Sequence, residues 1–138
     1  MGKLRISAEI NKPIAQVWEA YNDPKHITNW SFANDDWHCP SAENDLRTGG
    51  SFKSRMEAKD GSFGFDFGGI YDEVKPLELI KYHMGDGREV ETTFKDLGNN
   101  ATEVVQEFDA ESQNPEEMQQ QGWQAILNSF KNYTENKL

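Results

Sequence analysis

Cysteine is nearly absent: Cys39 stands alone among 138 residues, so no disulfide can close within the chain, and a reducing cytoplasm is the expected setting. Long apolar runs are missing as well. No stretch approaches the ~20 apolar residues of a membrane helix, and the N-terminus lacks the apolar core of a signal peptide, so neither membrane insertion nor export is expected. Positive charge is scarce, with 14 Lys and Arg against 24 Asp and Glu, a formal charge of −10. That balance argues against nucleic acid and against anionic membrane surfaces as partners. No repeat, low-complexity tract or linker divides the chain, and its length suffices for a core without staples. One domain over residues 1–138 is expected. What the chain has in quantity is rings: eight Phe, four Tyr and four Trp, in a chain of mean hydropathy −0.85. They need burying together.

The stretch best suited to organise that burial is the last one. Asn114 is a helix cap residue, Pro115 suits the first helical position, and Glu117 takes the acidic place of a capping box. Met118, Trp123, Ile126, Leu127, Phe130 and Tyr133 then recur at helical steps, giving one broad apolar face. Some 24 residues would make about 35 Å of helix, enough to cross a small domain. Gly122, inside it, costs about 1 kcal/mol relative to Ala; either another backbone approaches closely there or it is a tolerated surface glycine.

Upstream, Leu4, Ile6, Ala8 and Ile10 alternate with polar residues as a half-buried strand. A helix after Asn11-Lys12-Pro13 carries Ile14, Val17, Trp18 and Tyr21 on one face, and Asp23-Pro24 starts a second, short helix. Ser31 to Asn44 has no period and reads as loop. Five strands follow. The first begins near Leu46, bends at Gly49-Gly50 and reaches Lys59. The next sets Phe63, Phe65 and Phe67 on an interior face, with a bulge expected after Gly68-Gly69. The rest are centred on Tyr82, Thr92 and Gln106, with Gly-rich turns that make an antiparallel meander.

The order β-α-α-β-β-β-β-β-α, with Trp30, Pro40, Glu43, Asp45-Leu46-Arg47-Thr48-Gly49-Gly50, Gly69-Ile70-Tyr71-Asp72-Glu73-Val74, Pro76, Gly122-Trp123 and Leu127, resembles the START-like (SRPBCC, helix-grip) superfamily. Within it the chain resembles the branch of activator of heat-shock-90 ATPase homologues. One departure is Ser31-Phe32-Ala33-Asn34, where this branch commonly has a second aromatic and Gly-Pro. The resemblance implies an α+β helix-grip fold, with a curved antiparallel sheet wrapped around the long C-terminal helix. It also implies a hydrophobic cavity between them, used across the superfamily for lipids, polyketides, hormones or aromatic ligands. Other members are cyclases or dehydratases. In the eukaryotic co-chaperone the corresponding domain stimulates a chaperone ATPase, a stress-response role.

The expected cavity wall is Phe52, Ser54, Met56, Phe63, Phe65, Phe67, Tyr82, Thr92, Phe94, Gln106 and Phe108 from the sheet, with Trp123, Ile126 and Phe130 from the helix. Ser54, Thr92, Gln106 and Tyr82 stand among them, and buried polar groups need partners: either a ligand in an apolar pocket, or one another or a water inside a filled core. Trp30, Asp45 and Arg47 are placed at the mouth, the last two as a structural pair or as a ligand contact. No catalytic residues are assigned. The three histidines are scattered, and Cys39 lacks a base and an electropositive setting. His38-Cys39, with Asp35 and Asp36 nearby, matches no zinc spacing. No metal or cofactor is therefore expected. The leading expectation is non-catalytic binding of a small hydrophobic or amphipathic ligand; the alternative is an interaction module acting on a chaperone ATPase. Trp123→Ala is expected to be severely destabilising, and Trp37→Ala to be tolerated.

Overall fold

The computed structural model describes residues 3–138. Strand β1 (Lys3–Ile10) leads through helices α1 (Ile14–Asn22) and α2 (Pro24–Ile27) into β2 (Trp37–Asn44), β3 (Ser51–Ala58) and β4 (Gly64–Lys75). β5 (Leu79–His83), β6 (Glu89–Gly98) and β7 (Ala101–Asp109) complete the strands, and α3 (Glu116–Lys137) closes the chain. The seven strands form one antiparallel sheet in the order β1-β7-β6-β5-β4-β3-β2. It curls as a half-barrel around α3, the α+β helix-grip arrangement.

One strand was not legible in the sequence. The expected loop from Ser31 to Asn44 contains β2, which pairs with β3 across a register shift between His38 and Ser41. Pro40 and that irregularity break the alternation by which a strand is read. The bulge expected after Gly68-Gly69 is present: β3–β4 pairing runs unbroken through the glycines, and the shift falls just beyond them, between Tyr71 and Glu73, on the β5 side. Tyr71 faces inward by alternation with Phe67 and Gly69 while Ile70 is exposed, and the extra residue brings Val74, opposite Ile80, onto the face of Tyr71.

Phe63 is a second correction. It lies in the β3–β4 hairpin, just before β4 begins, and is 62% exposed. The hairpin sets Met56 opposite Phe65 and Ser54 opposite Phe67. Phe63 packs against Trp37 and Phe65, at 6.0 and 6.1 Å, away from the cavity between sheet and helix. Phe65, 39% exposed, stands at the rim.

Asn114 does not cap α3. Its side chain donates to Glu111 Oε1 (2.8 Å), and the cap position falls on Pro115 with no side-chain hydrogen bond. Gln119 ties the helix start back instead. Its Nε2 donates to the Asn114 carbonyl (2.7 Å) and the Glu111 carbonyl (3.1 Å), and its Oε1 accepts from the Glu111 amide (2.8 Å).

The polar side of α3 covers an edge of the sheet. β1 has a free edge, and its outward carbonyls need donors. Gln120 Nε2 donates to the Arg5 carbonyl (2.8 Å), Gln124 Nε2 to that of Ser7 (3.1 Å), and Lys131 Nζ to that of Glu9. Two strand residues span about 7 Å and four helical residues about 6 Å, so Gln120 and Gln124 meet alternate carbonyls, and the longer Lys131 side chain reaches the next one from seven residues further on.

Gly122 lies on the exposed side of α3, and a Cβ there would meet nothing within 4 Å. It is the tolerated surface glycine. Gly122→Ala is expected to stabilise the fold by about 1 kcal/mol through helix propensity, read as a rise in urea midpoint at unchanged slope.

Candidate functional site

Between the concave face of the sheet and α3 lies a cavity of about 300 Å³. Its walls are mostly rings and aliphatic chains: Phe52 and Met56 from β3, Phe65, Phe67 and Tyr71 from β4, Ile80 and Tyr82 from β5, and Trp123, Ile126 and Leu127 from α3. Tyr21, Ile27, Trp30 and Ser31 close it from the α1–α2 side. Gly69 shapes the centre. A Cβ at Gly69 would lie 2.5 Å from the His83 carbonyl oxygen and 3.0 Å from Tyr82 Cδ1, so only glycine lets the Tyr82 ring lie against β4. Phe52 then meets that ring edge-on at 4.7 Å.

The polar groups fall into three sets. At one end the Tyr71 hydroxyl donates to Asn44 Oδ1 (2.6 Å), while Asn44 Nδ2 donates to the Asn22 carbonyl (2.7 Å) and Asn22 Nδ2 to that of Trp18 (2.9 Å). Deeper in, Gln106 Nε2 donates to the Tyr21 hydroxyl (2.6 Å) and to Thr92 Oγ1 (3.2 Å). The third set is unspent. Tyr82 and Ser54 are buried and line the cavity, and among the described residues their hydroxyls make no hydrogen bond, yet neither oxygen is sealed off. Arg88 is the one cationic lining residue. Burial raises the pKa of the Tyr21 phenol and pushes that of Tyr82 well up; it also raises that of Tyr71. All three stay neutral at physiological pH.

Of the residues expected in the wall, Phe52, Ser54, Met56, Phe65, Phe67, Tyr82, Gln106, Trp123 and Ile126 line the cavity, as does Trp30. Phe63 does not, for the reason given above. Thr92, Phe94, Phe108 and Phe130 face inward but are covered by other side chains: Thr92 sits behind Gln106, and Phe108 lies flat under Trp123 at 4.1 Å. Phe94 and Phe130 pack with Tyr21, at 5.5 and 5.3 Å, in the solid part of the core. Asp45 and Arg47 are not brought to the mouth. They pair with each other on the surface, Arg47 Nε donating to both carboxylate oxygens at 2.9–3.0 Å. Their loop does serve the cavity through its backbone: the Gly49 amide donates to the Tyr71 carbonyl and the Tyr71 amide to the Gly50 carbonyl, both at 2.9 Å.

Sequence reading missed Tyr21, Asn22, Ile27, Ser31, Asn44, Tyr71, Ile80, Met84, Arg88 and Leu127 as lining residues. Tyr82, Met84, Arg88 and Val90 share the concave face by simple alternation through the Gly85-Asp86-Gly87 turn, a signal that was available for Arg88. Asn22 and Asn44 carried no such signal, since a tertiary contact brings them together.

His38 and Cys39 are successive residues of a strand and point to opposite faces. His38 lies 3.7 Å from Glu57, whereas Cys39 is buried and donates to the Ser41 carbonyl. Burial pushes the Cys39 thiol up, away from the nucleophilic thiolate. His26 Nδ1 shares a 2.7 Å hydrogen bond with the Tyr133 hydroxyl, and His83 Nδ1 one of 2.9 Å with Asp72. Both lie away from the cavity lining. Glu19, Asp23 and His26 gather within 4.8 Å of one another, but there Asp23 already caps α2 through the Lys25 amide.

Residues 11–135 match the family model described as activator of Hsp90 ATPase homolog 1-like protein. A protein of solved structure from Cytophaga hutchinsonii is 51% identical over 98% of this chain and 93% of its own, with a TM-score of 0.83. An AHSA1-like protein from Aeromonas hydrophila is 43% identical over 97% and 94%, with a TM-score of 0.88. A protein from Nitrosomonas europaea shares the fold at 17% identity, covering 99% and 96%, with a TM-score of 0.84. No curated protein matches the chain. The family match covers β2, the glycine loop, Gly69 and the greater part of α3, all the elements that shape the cavity, and the chain therefore belongs to the activator of Hsp90 ATPase homolog 1-like family, a branch of the START-like helix-grip superfamily.

Proposed function

We propose that this protein binds a small hydrophobic or amphipathic molecule in the cavity between sheet and α3, without chemically altering it. The observation that carries this is the cavity itself: about 300 Å³ of space, walled by aromatic and aliphatic side chains with a few polar groups converging on it. That is the composition of a small-molecule site, at the small end of the usual size range. Its lining holds no carboxylate, imidazole or thiol, and its three phenols are poor bases with their pKa values raised. Acid–base chemistry of a cyclase or dehydratase kind would lack its usual groups.

The test is ligand uptake by wild type and Ser54→Phe. Ser54 points into the cavity from β3 with its hydroxyl unspent, so a phenyl group there fills the space. Thr92 is unsuitable for this purpose, because it is packed behind Gln106 and a larger residue would disrupt the core. Wild type is expected to bind the neutral probe 1-naphthaleneethanol, seen as quenching of Trp fluorescence and a rise in Tm. Ser54→Phe is expected to bind at least tenfold more weakly. Equal binding by both proteins would sink the cavity reading.

A second reading is action on a chaperone ATPase, the activity in the family's description. A specific surface favours it: Trp37, Phe63 and Phe65 form an exposed aromatic cluster with ring centroids 6.0–6.1 Å apart. In that case ATP hydrolysis by a chaperone purified from the same cells would rise on adding the protein, and Ser54→Phe would stimulate it as well as wild type does.

A further inference from the structure

We propose that the occupant of this cavity is an amphipathic monoanion, its carboxylate held by the terminal nitrogens of Arg88 with help from the Tyr82 hydroxyl, and its apolar body lying between Phe67, Trp123 and Ile126. This rests on the ligand-binding reading and names the class of ligand.

Arg88 ends the β5–β6 turn and shares the concave face with Val90, which stands opposite Tyr82. Arg88 and Tyr82 are therefore diagonal neighbours across the two strands, near enough for one small group to reach both. The guanidinium is held from one side only. Its Nε donates to Asp86 Oδ2 at 2.7 Å, while the Asp86 side chain also accepts from the Arg88 amide at 3.1 Å. Among the described residues its terminal nitrogens make no hydrogen bond, so the outer edge of the fork remains unspent. Two parallel N–H groups there match a carboxylate bidentately, which a single hydroxyl cannot reproduce.

Tyr82 adds the independent observation. The residue is only 5% exposed, yet its hydroxyl has no protein partner and opens on the cavity. A buried phenol left in that state is costly unless something in the cavity accepts a hydrogen bond from it. A carboxylate does so, and it satisfies the fork as well. An apolar guest would satisfy neither. Asp86 opposes the anion, but it binds Nε rather than the terminal nitrogens and is the more exposed partner. The remaining acidic surface is screened beyond about 8–10 Å at physiological ionic strength.

The experiment compares 1-naphthaleneacetate with 1-naphthaleneethanol, two probes alike except for the acid, on wild type, Arg88→Met, Arg88→Lys and Tyr82→Phe. Wild type is expected to bind the acid about tenfold or more tightly than the alcohol, the ratio of a hydrogen-bonded charge to a neutral group. Arg88→Met should remove that preference, weakening the acid far more than the alcohol, and a circular-dichroism spectrum and urea midpoint close to wild type show that the variant is folded. Arg88→Lys should restore part of it, and Tyr82→Phe should reduce it severalfold. Equal affinities for both probes in wild type, or a preference for the acid that survives Arg88→Met, would overturn the proposal while leaving the cavity reading intact. If neither probe binds wild type, the ligand-binding reading falls and this one falls with it.

Discussion

Replacing Phe130 by Ala is expected to cost about 3–5 kcal/mol, the range for truncating a fully buried aromatic. Phe130 has no exposed surface, and its ring meets Trp30 at 4.9 Å and Tyr21 at 5.3 Å, both edge-on. It lies in the solid part of the core, where the neighbours are held by other bonds. Trp30 Nε1 donates to the Ala20 carbonyl at 2.9 Å, and Tyr21 accepts from Gln106. Those rings cannot collapse into the space without breaking these bonds, so the cavity left behind stays largely empty. Against a total of roughly 5–15 kcal/mol for a domain, a third or more of the stability would be lost. Urea unfolding should show a midpoint lowered by a third or more. A loss below about 1 kcal/mol would mean that α3 is not the element the sheet grips.

Trp123→Ala should cost about 3 kcal/mol, the low end of the same range, because the indole is only half-buried. One face lies on Phe108 at 4.1 Å and 14°, its edge meets Phe67 at 5.8 Å, and the rest borders the cavity. Gln106 spends its amide on Tyr21 and Thr92, and among the described residues the indole N–H has no partner. Trp123→Phe should therefore lose area but no buried hydrogen bond. Trp37→Ala should cost about 1 kcal/mol, since Trp37 is only half-buried and packs edge-on against the rings of Phe63 and Phe65, Phe63 being mostly exposed. Equal midpoints for Trp37→Ala and Trp123→Ala would contradict this ranking. The Ala variant of Trp123 should also take up bulkier apolar probes than wild type does.

The candidate site was legible in part, and the division follows the range of the interactions. Phe52, Ser54, Met56, Phe67 and Tyr82 were readable because alternation puts them on one face of a strand, and the buried face is the one with rings. Phe94, Phe108 and Phe130 were readable as interior by the same rule. Whether an inward residue borders open space or is covered depends on which neighbour lies over it, as Trp123 lies over Phe108. Phe63 fails at a different point, because alternation does not say that its ring packs with Trp37 and Phe65, away from the cavity.

By itself the sequence determined the element order apart from β2, the antiparallel meander of the five strands after it, and the family, since these follow from period, turn residues and short local motifs. It also determined that α3 would bury an apolar stripe. Only the tertiary structure decided that Pro40 and a register shift could be absorbed into β2, that Gly122 faces solvent, and that Gln120, Gln124 and Lys131 satisfy the carbonyls of an edge strand more than a hundred positions away in the chain. It likewise decided which polar groups were left unspent. Asn44, Asn22 and Tyr71 satisfy one another across the fold, as do Gln106, Tyr21 and Thr92, while Tyr82 and Arg88 keep donors in reserve. A hydrogen bond is a contact between two particular atoms, and the chain alone does not say which distant partner a buried donor will meet.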